Sequence, residues 1–429
     1  MKRSYLFSGV SIALLLQTAV YAQPFQKVSD LPLAKVREIH HYFSDPKNRV
    51  VPKKIEMPTR YSWQHTSEFY PTAQIVREGR VHPLEKDLDA KIGSVTFYRG
   101  DHKESVQYHL SNYDVDAFMV IRHGKIVYEK YNTMYPNDKH IWWSSGKVIG
   151  STMLALLEEE GKVDTQKPVS FYLHELKGSV WDSVKVIEVL DMATGLDATE
   201  HDEPKHDSRT NPEQKWYRWA ASIEMFPDAK NRHEEPMDVI RSMQRRTDAY
   251  KKFEYNSIDT FLVNRIVERV TNQPLERYFT KRVWSKIGAS ADAYVAVSPQ
   301  GYSLFYGLMN STLEDMGRFG MIFTPSGTQF THKPIISKKV VQKLQTQPHK
   351  SMYLKAFMGR SMMKKFRENN MTNHYQWDAI FNDGDMYKSG FGGQGLYVSP
   401  AKDMVVVWFG SNDGNSNEEA MARAIVTSF

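Results

Sequence analysis

Cysteine is absent from all 429 residues. That excludes disulfides, thiol chemistry and a lipid attachment site of the bacterial lipoprotein kind. Dense runs of lysine or arginine are also missing, and a formal net charge of +6 is mild for a chain this long. Nucleic acid is therefore not an expected partner. There is no internal repeat and no low-complexity tract. Beyond the first 22 residues no apolar run is long enough to span a bilayer. What the chain does have is 41% hydrophobic residues, enough for a substantial core in one large domain or two ordinary ones.

The N-terminus carries the layout of an export signal. Lys2 and Arg3 form a positive region, Leu6 to Val20 an apolar one, and Val20-Tyr21-Ala22 a small-residue cleavage site before Gln23. Gln17 and the shortness of the apolar run argue against a stable membrane anchor. Residues 1–22 are thus expected to be a cleaved signal peptide, and the mature protein periplasmic or secreted from a bacterium. Its charge would fall from +6 to +4, since the segment holds two cations and no acid.

Residues 23–115 are mixed and proline-containing, and read as an N-terminal extension wrapping the main body. Ala117–Ile121 and Ile126–Tyr128, separated by His123-Gly124-Lys125, predict a β-hairpin. Ser144–Leu157 is apolar on nearly every side and predicts a buried helix closing at Gly161. Ser257 is a plausible N-cap for a helix over 258–270, and Pro274 starts another that stops at Gly288. Leu396–Val398 and Met404–Phe409 flank a turn at Pro400–Asp403, and Glu418–Ser428 closes the chain as a helix. The expected architecture is α/β (α+β). An antiparallel sheet is built from residues 116–165 and 385–429, flanked by helices, and a mostly helical region, 166–384, is inserted between its halves.

Ser144-Ser145-Gly146-Lys147 places a hydroxyl and an amine three residues apart, on one face of a helix start. Such a pair can make serine a nucleophile without histidine. Lys147 acts as a base only when neutral, so its usual pKa of about 10.4 must fall by roughly two or three units. The same S-x-x-K spacing recurs at Ser44, Ser361 and Ser399. Two further segments bear on the choice. Tyr255-Asn256-Ser257 offers a phenol that can shuttle a proton and a short polar residue that can orient a lysine or the substrate. Lys388-Ser389-Gly390-Phe391-Gly392-Gly393 offers a cation, close backbone approach, and a Phe391 N–H that can pair with that of Ser144 as an oxyanion hole. Each segment alone is equally well a core tyrosine, a helix cap or a glycine-rich turn.

Their order is more specific. S-x-x-K, then Y-x-S, then K-S-G before a terminal hairpin matches the pattern of penicillin-binding proteins and β-lactamases. Taken together the chain resembles the class C β-lactamase superfamily of penicillin-binding serine hydrolases. Within it, the 6-aminohexanoate-dimer hydrolase-like and esterase branch is most similar. Val189–Leu196, Phe253–Ser257, Leu313–Gly320 and Gly390–Gln394 followed by Tyr397–Pro400 resemble further segments of that branch. The similarity spans roughly residues 80–429. The other S-x-x-K sites then drop out: Ser44 and Ser399 precede prolines, and Ser361 follows the tyrosine.

The resemblance implies a hydrolase of small amides or esters working through a Ser144 acyl-enzyme. Lys147 and Tyr255 are the proton carriers, with Lys388, Ser389, Gly390, Phe391 and Ser257 around substrate and oxyanion. No metal or other cofactor is implied. Ser257 stands where many members have asparagine, and Tyr306-Gly307-Leu308-Met309 replaces a glycine run that lines the pocket in relatives. Lys388 replaces the histidine of many esterase-like members, which favours a substrate carboxylate. Rival readings are a non-catalytic binding or sensor protein on the same fold, and a β-lactamase or D-amino-acid peptidase. A third is a metal hydrolase using the acidic and histidine-bearing run Asp197, Glu200, His201, Asp202, Glu203, His206 and Asp207. That run is more simply a polar loop beside the site. Trp142 and Trp143 are equally suited to core or pocket wall.

Overall fold

A computed structural model of the chain describes residues 25–45, 48, 55–200, 208–331, 333–346, 349–413 and 417–429. The expected signal segment 1–22 and the histidines His201 and His206 lie outside the described residues.

The main sheet has seven strands. They are β1 Val115–Arg122, β2 Lys125–Tyr131, β3 Met371–His374, β4 Trp377–Phe381, β5 Met386–Gly390, β6 Gln394–Ser399 and β7 Met404–Gly410. Their spatial order is β2-β1-β7-β6-β5-β4-β3, each antiparallel to its neighbours. The two ends of the chain meet where β1 pairs with β7, with Val120 opposite Val406. The β1–β2 turn sits at His123 (φ 49°) and Gly124 (φ 74°), the paired positive angles that match the twist of a hairpin.

Both faces of this sheet are covered. Along β7, Val405, Val407 and Phe409 enter one core, while Met404, Val406 and Trp408 enter the other. Alternation therefore persists, but with apolar residues on both sides, so the sequence reads as an unbroken hydrophobic run. The larger core holds helix α1, Lys147–Glu159, and helix α3, Leu313–Met321. Helix α4, Glu418–Ser428, packs on the opposite face. Helix α2, Ser257–Thr271, crosses α1 so closely that a Cβ at Gly150 would fall 2.0 Å from Asn264 Oδ1.

The expected helical stretch 166–384 ends earlier than 384. Strands β3 and β4 complete the sheet from residues 371–381. Their nine residues are all buried, polar and apolar alike, so no period-two signal marks them. The cap of α2 also differs: the Asn256 side chain, not Ser257, accepts from Ile258 N. Asparagine at the cap leaves the Ser257 hydroxyl available to a neighbour.

The N-terminal segment is woven into the body. Thr72–Ile75 is an edge strand of a second sheet, paired with Ala293–Ala296. Arg60 reaches Asp114 at 2.6 Å and the fully buried Asp116 at 3.0 Å. Trp63, 4% exposed, stands edge-on to Trp143 and Phe391, with ring centroids 5.6 and 6.0 Å away. A Cβ at Gly392 (φ +77°) would lie 2.2 Å from that indole.

Candidate active site

Ser144 stands on a 3₁₀ turn, Trp143–Gly146, directly before α1. Trp143 enters this turn at φ 45°, a conformation a bulky residue adopts only when its surroundings enforce it. Trp63 and Phe391 hold its ring on two sides. The turn also lies against the end of β5, so that a Cβ at Gly390 would come 2.5 Å from the Trp142 carbonyl. Glycine at 390 is what permits that approach. The two tryptophans divide the roles expected for them. Trp142 is a core residue whose Nε1 donates to Ser311 Oγ at 2.9 Å, and Trp143 lines a small aromatic cavity of about 50 Å³.

Lys147 is completely buried at the first position of α1. Its Nζ donates to Ser257 Oγ and to the Tyr306 carbonyl, each at 2.8 Å. Burial lowers its pKa to about 7, helped by the Lys388 charge and opposed by Glu200, Asp378 and Asp259. A neutral amine has two N–H groups and one lone pair. Donating to both acceptors therefore still leaves the neutral form a lone pair with which to take a proton.

Tyr255 is 5% exposed, and its hydroxyl is hydrogen-bonded with that of Ser144. Lys388 Nζ lies 3.4 Å from the phenol oxygen and 4.7 Å from the ring centre. Two lysines beside a phenol would be expected to favour phenolate. Here burial, with Asp378 and Glu200 nearby, pushes the phenol well above its ordinary range. Tyr255 is therefore a neutral hydroxyl that can accept and donate together, not a phenolate base.

Lys388 does not face the pocket. It is fully buried, and its Nζ donates to Asp378 Oδ1 at 2.5 Å. Burial nonetheless lowers its pKa, against the pull of that carboxylate. A cation already neutralised by an internal acid is not offered to a substrate carboxylate, so the expectation drawn from lysine at this position fails on geometry. Asp378 also accepts from Ser389 N at 2.9 Å and from the Ser389 hydroxyl. The carboxylate thus takes over where β4 stops pairing with β5 at Ala379 and Tyr387.

The pocket above these groups holds about 370 Å³, and its wall includes Ser144, Tyr255, Glu200, Ser389, Gly390 and Phe391. Five of the eight residues picked from the sequence thus line it, Ser257 and Lys388 touch the lining residues Glu200 and Tyr255, and Lys147 lies beneath. Sequence reasoning missed Asp378, and it named Glu200 and Tyr306 without their contacts to Ser257 and Lys147. Glu200 is 9% exposed and accepts from Ser257 Oγ at 2.7 Å, so it is part of the site rather than of a solvated loop. Asp197 of the same run pairs with Lys215 at 2.5 Å. No group of three metal-ligating side chains occurs among the described residues. Ser361, set aside on order, also reaches the pocket wall, while Lys364 lines the adjoining cleft.

The beta-lactamase family model matches residues 112–427. The chain belongs to the beta-lactamase family. It is 26% identical over 355 residues to the 6-aminohexanoate-dimer hydrolase of Paenarthrobacter ureafaciens, covering 81% of this chain and 84% of that one. A Bacillus anthracis structure provisionally assigned as a 6-aminohexanoate-dimer hydrolase superposes with a TM-score of 0.73 at 23% identity. That match covers 88% of this chain and 96% of that one. A penicillin-binding protein homologue from Caulobacter crescentus shares the fold at a TM-score of 0.55 and 12% identity, over 82% and 99% of the two chains. Within this beta-lactamase fold, Ser144, Lys147, Tyr255 and Lys388 occupy one continuous buried cluster that opens at the serine.

Proposed function

We propose that this protein is a secreted serine hydrolase that cleaves a small amide or ester through a Ser144 acyl-enzyme. The observation that carries the reading is the contrast between two neighbouring proton carriers. Lys147 is held near neutrality with a pKa of about 7, while Tyr255 is kept protonated and hydrogen-bonded with the serine. A base poised at operating pH beside a neutral hydroxyl relay is what acyl transfer requires.

Ser144 Oγ attacks the carbonyl as its proton passes to Lys147. Tyr255 delivers that proton to the leaving amine or alcohol, and Lys388 stabilises negative charge developing on the phenol oxygen. The N–H groups of Ser144 and Phe391 receive the oxyanion. Water then attacks the ester by the reverse proton route. The name of the Paenarthrobacter ureafaciens relative makes a linear amide the first substrate class to test. Export rests on Lys2, Arg3 and the apolar run to Val20.

Incubation with a fluorophosphonate probe should label the wild type and not Ser144→Ala. The same variant should lose hydrolysis across a panel of ω-amino-acid oligomers, p-nitrophenyl esters, D-amino-acid amides and nitrocefin. Labelling retained by Ser144→Ala would sink the assignment. Amino-terminal sequencing of protein recovered from periplasm should begin at Gln23.

A further inference from the structure

Lys147 has no exposed surface, yet with a pKa of about 7 its ammonium form must lose a proton to solvent before it can act as a base. Beneath the pocket floor one chain of hydrogen bonds leads outward. Lys147 Nζ donates to Ser257 Oγ at 2.8 Å, and Ser257 Oγ donates in turn to Glu200 Oε2 at 2.7 Å. Glu200 lies in the wall of the catalytic pocket. The other Lys147 acceptor, the Tyr306 carbonyl, takes a hydrogen bond but cannot pass a proton on. We propose that Glu200 is the outer end of a proton path that runs from Lys147 through Ser257 into the catalytic pocket.

The step balances within the three groups. The Lys147 ammonium gives a proton to Ser257 Oγ as the Ser257 hydroxyl gives its own to Glu200. The products are a neutral amine, an unchanged serine and a carboxylic acid, which then loses its proton to pocket water. The path depends on serine at 257. Its hydroxyl donates and accepts at one atom, whereas an asparagine amide there would hold the lysine without relaying. It also depends on Asn256 taking over the helix cap, which frees Ser257 from that task. Glu200 is therefore a proton-carrying and positioning residue acting through Ser257, and it rests on the acyl-enzyme reading above only for the identity of the base.

The groups facing Lys147 fix the sign of the electrostatic effect. Glu200, Asp378 and Asp259 favour its ammonium form, Lys388 and burial disfavour it, and the Tyr255 and Tyr306 rings lie 5.3 and 5.4 Å from Nζ. Removing the Glu200 charge should lower the Lys147 pKa further.

Glu200→Gln keeps an acceptor for Ser257 and cannot carry a proton. Its acid limb of kcat/KM should move to lower pH by about one unit, and its kcat should fall about tenfold or more. In Glu200→Ala, added formate should restore kcat in proportion to its concentration. A Glu200→Gln enzyme with the wild-type pH profile and kcat overturns the path, and so does an impaired Glu200→Ala that formate does not rescue. Either result leaves the role of Ser144 intact if Ser144→Ala is still inactive. Hydrolysis surviving in Ser144→Ala would instead count against the acyl-enzyme reading.

Discussion

The Asp378 carboxylate and the Lys388 ammonium lie 2.5 Å apart on adjacent strands, and both are fully buried. The pair does two things. It fixes the cation 3.4 Å from the Tyr255 hydroxyl, and through Asp378 it ties down both the backbone and the side chain of Ser389. Strand β5 is thereby held on its β4 side beyond the point where the β4 ladder ends, while β6 pairs with it on the other side.

Asp378→Asn should therefore be costly on two counts. It leaves a buried cation without its counter-charge, which typically destabilises by about 3–5 kcal/mol. It also releases Lys388 from its place beside Tyr255, so turnover should fall beyond what partial unfolding explains. Urea denaturation, with activity measured well below the midpoint, separates the two effects. Wild-type stability and turnover in the variant would show the pair to be incidental.

The pH dependence follows from Lys147. Its pKa is lowered to about 7, so the neutral, proton-accepting form gains as pH rises through 7. The rate kcat/KM should climb about tenfold per unit below that point and level off above it. Stability should follow the same group with a defined sign. Between pH 7 and the unfolded value of about 10.4 the unfolded chain binds more protons at this lysine, so its contribution to stability improves as pH rises. Comparing stability curves of wild type and Lys147→Gln isolates that contribution. A flat kcat/KM from pH 5.5 to 8.5 would refute the assignment of Lys147 as base.

Much of this arrangement is legible in the amino-acid sequence. The hairpins at 117–128 and 396–409 and the final helix carry their own turn and periodicity signals, and the S-x-x-K, Y-x-S and K-S-G segments converge as their order implies. What is not legible is set by tertiary burial. Asp378 sits in Trp377-Asp378-Ala379-Ile380-Phe381, where a single acid in an apolar run gives no hint of a lysine partner ten residues on. Glu200 belongs to a run of acids and histidines whose composition reads as solvated, and it is drawn inward by Ser257 Oγ and by the Tyr255 carbonyl, which takes a hydrogen bond from its backbone N–H. Lys388 is legible as a site residue but not in its orientation, because strand alternation turns Tyr387 and Ser389 to the pocket and Lys388 away from it.

Trp63 lies far from the motifs in sequence, yet it supports the site. Its indole stands against Trp143, Phe391 and the Gly392 turn. Trp63→Ala should cost about 3–5 kcal/mol through lost contact and an unfilled cavity. It should also lower kcat more than it raises KM, since Trp143 and Phe391 both adjoin backbone at the reacting centre. Trp63→Phe should recover most of both. Thermal unfolding and steady-state kinetics on the two variants check this, and an Ala variant with unchanged kcat would limit Trp63 to packing.

Gly390→Ala tests the coupling between strand and nucleophile most directly. The added Cβ would lie 2.5 Å from the Trp142 carbonyl and 2.7 Å from Gln394 Cβ. The first of these is backbone and cannot swing aside, so β5 must move away from the serine turn. Met386 and Tyr387 stay pinned between β4 and β6, whereas Ser389 and Gly390 pair with β6 alone, so the shift concentrates at Ser389–Phe391. A displacement of about 1 Å at a reacting centre costs on the order of a hundredfold in rate. Fluorophosphonate labelling and kcat should fall together by about that factor, because both need Ser144 and the Phe391 N–H in register, while fold stability drops by only about 1–3 kcal/mol. Labelling at the wild-type rate would mean that the oxyanion is held elsewhere than between the serine turn and β5.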